Sequence, residues 1–291
     1  MILLVGFSGA GSPQDFPDGI SLKENEVLEL KGPTHINQGI KLADNSQLVL
    51  KNADVKIETT DLTPPTLDVT GSSKLRIENA TLTMKNSNDI GPQINFTDES
   101  QTEIVRSKLI LSGVGSTSGA LINASGMARV NIVDTHSGGE LENAGLYLYG
   151  ESVVTVRNST LKHESGVYEK GSLTLENSFV GDSGVSDEGK LTFINSETGM
   201  TKLGVTGDME FEGLSTDKFS YHKKIPDGWE LKLENSKIGA WFFLVEQGSE
   251  EKPTNLTLRN IYEVALQLEF NKDVISIAGL LDGHNLKTTL S

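Results

Sequence analysis

Short runs of alternating apolar and polar side chains recur along this chain, and most of them close on asparagine. The clearest are Ser73-Lys-Leu-Arg-Ile-Glu-Asn79, Ser152-Val-Val-Thr-Val-Arg-Asn158, Ser172-Leu-Thr-Leu-Glu-Asn177, Lys190-Leu-Thr-Phe-Ile-Asn195, Glu230-Leu-Lys-Leu-Glu-Asn235 and Asn255-Leu-Thr-Leu-Arg-Asn260. Weaker copies end at Asn52, Arg106, Asp134 and Gly213. Two and four residues before the closing position the side chains are apolar nearly throughout, as in Leu48/Leu50, Leu75/Ile77, Val130/Ile132, Leu173/Leu175 and Leu231/Leu233. A period of two with one apolar face predicts strands that bury one side, and no helical period competes with it.

Each strong strand has companions. Leu67 to Gly71, Leu146 to Gly150 and Leu203 to Gly207 precede one, whereas Thr81 to Met84 and Thr160-Leu161 follow one. Three short strands per repeat make one coil of a parallel β-helix. The sequence therefore predicts an all-β chain: a single right-handed parallel β-helix of about ten coils over residues 20–262. Residues 1–19 form an N-terminal cap or exchanged strand, and residues 263–291 form a C-terminal β cap. The closing residues Asn52, Asn79, Asn158, Asn177, Asn195, Asn235 and Asn260 read as a structural Asn ladder, because Asn tolerates the left-handed backbone of a sharp corner and its amide can bond its stacked neighbours.

The phrases "GSLTLENSFV", "GKLTFINS", "SVVTVRNSTL" and "WELKLENSKI" resemble coils of the pectin-lyase-like right-handed β-helix group and of bacterial autotransporter passengers and related surface adhesins. The likeness spans about residues 20 to 262 and implies a fold shared by many functions. Hydrolases and lyases of that group would be expected to show Gly-His-Gly and Arg-X-Lys segments, or calcium-binding aspartates with an arginine base. None of these patterns occurs here, so no catalytic residue is assigned.

Composition narrows the chemistry. The chain has 291 residues, no Cys, and a net charge of −15, which excludes disulfides, thiolate metal sites and a cysteine nucleophile. No basic half follows a phosphate backbone, so nucleic acid is not an expected partner. The apolar start from Met1 to Phe7 is too short to span a membrane and lacks the positive flank of a signal peptide. The five arginines stand at different offsets from the closing residue and predict no converging site. Asp182, Asp187 and Glu188 offer oxygen ligands without calcium-loop spacing, so no cofactor is expected and calcium is a weak reading.

Two surface features remain. Tyr221, His222, Trp229 and Trp241 gather aromatics and polar groups suited to a sugar face or a protein partner. Ile2, Leu3, Leu4 and Val5 at one end, and Val264, Leu266 and Leu268 at the other, mark strand edges at which one copy would add to the next. The expectation is a noncatalytic extracellular or cell-surface protein for adhesion or surface-structure assembly. Its partners would be itself, in an oligomer or filament, or a surface glycan or protein. The alternative is a polysaccharide-degrading enzyme or a carbohydrate-binding module.

Overall fold

The computed structural model describes residues 13–59, 63–86, 91–113, 121–138, 145–162 and 164–205, together with the backbone of the strands that follow to residue 290. Every regular element among them is a strand. The chain divides into two compact units, residues 1–164 and 165–291.

In the first unit three parallel ladders run side by side. Sheet 1 stacks the first part of Val27–Asn37, then the first part of Gln47–Thr59, Lys74–Glu78, Gln101–Val105, Arg129–Val133 and Val153–Arg157. Sheet 2 stacks Ile20–Leu22, Gly39–Leu42, Thr66–Val69, Gln93–Phe96, Leu121–Ala124 and Gly145–Leu148. Sheet 3 begins at Gln14–Phe16, takes the second parts of the two long strands, and continues through Thr81–Asn86, Lys108–Gly113, His136–Gly138 and Thr160–Leu161. One strand from each ladder makes a turn of a parallel β-solenoid, the expected class. The count differs: about five turns are defined, against ten. The first of them, with its corner at Gly32 (φ 74°), lies ahead of the Asn register.

Alternation fixes which side faces in. Leu30, Leu48, Leu50, Ile77, Val154 and Val156 of sheet 1 are fully buried, as are Ile40 and Val69 of sheet 2 and Ile36, Val55, Ile57 and Leu82 of sheet 3. Because the register is unshifted along most pairings, like residues stack on like and one column of apolar side chains continues from turn to turn. Thr102 breaks the column between Leu75 and Val130, and its buried Oγ1 has no hydrogen-bond partner.

The corner between sheets 1 and 3 is the one the Asn register marks. Asn52, Asn79, Arg106, Asp134 and Asn158 have φ of 48–50°, and in the second unit Asn177 and Asn195 have 47° and 49°. Asn235 and Asn260 lie outside the described residues. Side-chain bonds join neighbouring turns at this corner. Arg106 Nε donates to Asn79 Oδ1 at 2.8 Å, and Asn158 Nδ2 donates to Asp134 Oδ1 at 3.2 Å. The steadier device is the next residue. Ser107 Oγ accepts from Ala80 N, Thr135 Oγ1 from Ser107 N and Ser159 Oγ from Thr135 N, and each hydroxyl also donates to the carbonyl two residues earlier.

The second unit repeats the arrangement. Ser172–Glu176, Lys190–Ile194, Met209–Glu212, Glu230–Glu234 and Thr254–Arg259 form one parallel ladder. Phe179–Val180, Glu197–Val205, Ser215–Tyr221, Lys237–Val245 and Ala265–Phe270 form another. Its end turns antiparallel: Asp273–Ala278 pairs with Ala265–Phe270, and Leu286–Leu290 pairs with Thr254–Arg259.

Candidate functional site

Outward positions of sheet 1 in the first unit lie one, three and five residues before the corner. Arg157, Arg76 and Arg129 occupy these three offsets on different turns. All three are odd, so all three side chains leave the same face of the sheet. The expectation that the arginines do not converge is therefore corrected: offset from the corner sets how far along a strand a residue lies, but parity sets which face it joins. Arg76, Arg129 and Arg157 line one shallow depression of about 520 Å³ with Lys74, Glu103, Gln47, Gln101, Asn131 and Thr155. Four cations face one carboxylate there, in a chain of net charge −15.

One edge of this face is internally neutralised. Glu78, whose side chain is 14% exposed, accepts from Arg76 Nε at 3.2 Å and from Arg106 Nη2 at 3.0 Å, with Lys51 Nζ at 3.9 Å. The hydrogen bond from Arg76, aided by the positive charges of Lys51, Arg76 and Arg106, outweighs desolvation and holds the Glu78 carboxyl below the usual carboxylate range. Arg76 also reaches Glu103 on the next turn. Lys74 and Arg129 have no acidic partner within 4.0 Å among the described residues. Around the corner, Arg106, Lys108 and His136 line a second depression beside Asp134.

The start of sheet 3 in the same unit is acidic instead. His35 Nδ1 stands 3.1 Å from Asp15 Oδ1, and its Nε2 stands 3.6 Å from Glu58 Oε2, with Asp54 and Lys56 in the same depression. On sheet 2, Asn123 Nδ2 donates to Asn95 Oδ1 at 3.0 Å and Asn95 Nδ2 donates to Asp68 Oδ1 at 2.7 Å. That is a stack of side-chain amides closed by a carboxylate, on a flat face of the solenoid.

Of the residues singled out by sequence, Tyr221 ends the strand Ser215–Tyr221 and Trp241 stands in Lys237–Val245, where it is in register with Phe219. His222 and Trp229 lie outside the described residues, as do Ile2, Leu3, Leu4, Val5 and Val264. Leu266 and Leu268 pair with Trp241 and Phe243 on one side and with Ile277 and Ile275 on the other, so the backbone of their strand is engaged along both edges. Asp187 sits at a left-handed corner (φ 59°) and accepts from its neighbour Ser186. Among the described residues no group of three or more His, Asp and Glu is placed to hold a metal ion.

Compared with known proteins, the chain matches no family model, no curated protein and no solved structure.

Proposed function

We propose that this protein is a noncatalytic extracellular or cell-surface β-solenoid that binds through its lateral faces, in adhesion or in building a surface structure. The observation that carries the reading is the sheet 1 face of the first unit, where Lys74, Arg76, Arg129 and Arg157 gather within four turns of a strongly acidic chain. Binding needs only such a charged face held rigid by stacked strands, whereas hydrolysis also needs two carboxylates in separate roles about a scissile bond. The repeat's resemblance to the pectin-lyase-like group and to surface adhesins agrees with a lateral binding face. Self-association at the C-terminal end would have to recruit Asp273–Ala278 or Leu286–Leu290, because the strand before them is already paired on both edges.

A second reading rests on Asp15 and Glu58, two carboxylates that flank His35, since a polysaccharide hydrolase works with a pair of them. Its weakness is exposure: the Asp15 side chain is 73% exposed and that of Glu58 47%, so neither is sheltered as catalytic acids are. A panel of acidic and neutral polysaccharides separates the two readings. The binding reading expects retention without new reducing ends or unsaturated products; product release that disappears in Glu58→Gln would replace it with the hydrolase.

A further inference from the structure

The ligand of the sheet 1 face can be named by class. We infer that Lys74, Arg76, Arg129 and Arg157 form a binding face for a linear anionic glycan, one carrying carboxylate or sulfate groups at regular intervals; the inference rests on the binding reading above and specifies its ligand.

Charge is the first ground. The depression holds four cations and one carboxylate, and including Lys51 and Glu78 at its edge the face still carries five cations against two acids. Against a net charge of −15, a face of reversed sign both draws an anionic polymer and fixes where it lands. Arg129 and Lys74 have no acidic partner within 4.0 Å among the described residues, and binding at these two need not break an internal ion pair. Arginine is also the side chain whose planar fork meets a carboxylate or an analogous oxyanion with two parallel hydrogen bonds.

Spacing is the second ground. The cations sit on three of four consecutive turns, Lys74 and Arg76 on the first, Arg129 on the third and Arg157 on the fourth, with Glu103 on the second. Adjacent strands stack about 4.8 Å apart, close to the length of one pyranose unit in an extended chain. A glycan lying along the stack would thus present successive sugars to successive turns. Gln47, Gln101, Asn131 and Thr155 interleave with the cations and offer donors and acceptors to sugar hydroxyls, while Val153 lends an aliphatic surface.

The third ground separates a glycan from a nucleic acid. Single strands are held by aromatic side chains on which bases stack, and no aromatic lines this depression.

The test measures affinity for heparin (sulfated), polygalacturonate (carboxylated), dextran (neutral) and single-stranded oligothymidine. The intact chain is compared with the double variant Lys74→Glu/Arg129→Glu. Both side chains are exposed, and an unchanged thermal midpoint reports that the variant folds. The expected result is retention of heparin, polygalacturonate or both, weakening as salt rises, with a loss of at least about tenfold in the double variant. Which of the two is retained tells sulfate from carboxylate. An anionic-glycan affinity that the double variant leaves unchanged overturns the inference, as does retention of none of the probes. Tighter binding of oligothymidine than of either anionic glycan reassigns the face to nucleic acid and overturns it too. Dextran binding that survives the charge reversal overturns the ligand class while leaving the binding reading in place, whereas product release defeats that reading instead.

Discussion

Two left-handed corners turn each coil of the first unit, and they solve the same problem in different ways. From Asn52 on, the residue at the corner between sheets 1 and 3 is Asn, Arg or Asp with φ of 48–50°. Its side chain is exposed, and from Arg106 on the residue after it, Ser107, Thr135 or Ser159, joins the turn to the previous one through a buried hydroxyl. At the corner between sheets 2 and 1 the column reads Glu24, Asp44, Gly71, Asp98, Gly126 and Gly150. Here the backbones themselves approach. A Cβ on Gly71 would lie 2.9 Å from Asp44 O, and one on Gly126 would lie 2.9 Å from Asp98 N. Where Asp occupies this column its carboxylate bonds the previous turn: Asp44 Oδ2 accepts from Glu24 N and Asp98 Oδ2 from Gly71 N. One corner is therefore anchored beside its turning residue and tolerates variety there; the other is anchored through it.

The scale for any corner effect is set by the core columns between the corners. Leu173 and Leu175 are fully buried and Thr174 between them points outward. Leu175→Asp is expected to abolish the cooperative unfolding transition, since an unpaired buried charge costs several kcal/mol. Thr174→Asp on the other face is expected to shift the thermal midpoint little. Comparable loss from both substitutions, followed by circular dichroism, would mean that the strand does not separate an inner from an outer side.

The corners themselves come next in size. Gly126→Val places a β-branched side chain at φ 65° against the Asp98 backbone, and a loss of about 2–4 kcal/mol is expected. Arg106→Gly gives up exposed ion pairs but relieves a left-handed arginine, so its effect should stay within about 1 kcal/mol. Denaturant unfolding of the two variants compares the corners directly. Similar losses would show that both depend on the turning residue.

The contrast also explains what the sequence makes legible. Strand positions and the apolar columns follow from a period of two, and the Asn corner follows because one residue type recurs at it. The second corner escapes because Glu, Asp and Gly meet its demand by different routes, and no single letter repeats. The turn at Gly32 escapes because it lacks the Asn. The basic face is hidden for another reason. Arg76, Arg129 and Arg157 stand at three different offsets and look scattered until each is assigned to a face by parity, after which they fall together. The buried hydroxyl column at Ser107, Thr135 and Ser159 is written as the residue after each corner, where Ser and Thr read as ordinary turn residues.

The smallest effect concerns an ion network carried by the Asn corner. Glu78 joins Arg76 and Arg106 across adjacent turns, and Arg106 in turn holds Asn79. Because Arg76 lowers the Glu78 pKa below the reference value of 4.5, the folded state binds this proton less readily than the unfolded chain does. The contribution of Glu78 to stability is therefore present above the unfolded value and disappears as pH falls through the lower folded value. Glu78→Gln should reduce the thermal midpoint slightly at neutral pH, and the gap from the unaltered chain should close as the solution is acidified below 4.5. Arg76→Ala should raise the Glu78 titration midpoint, read by NMR of its carboxyl carbon. A gap that stays constant into strong acid, or a midpoint indifferent to Arg76, would remove the network from the account of this corner and leave the hydroxyl column as its anchor.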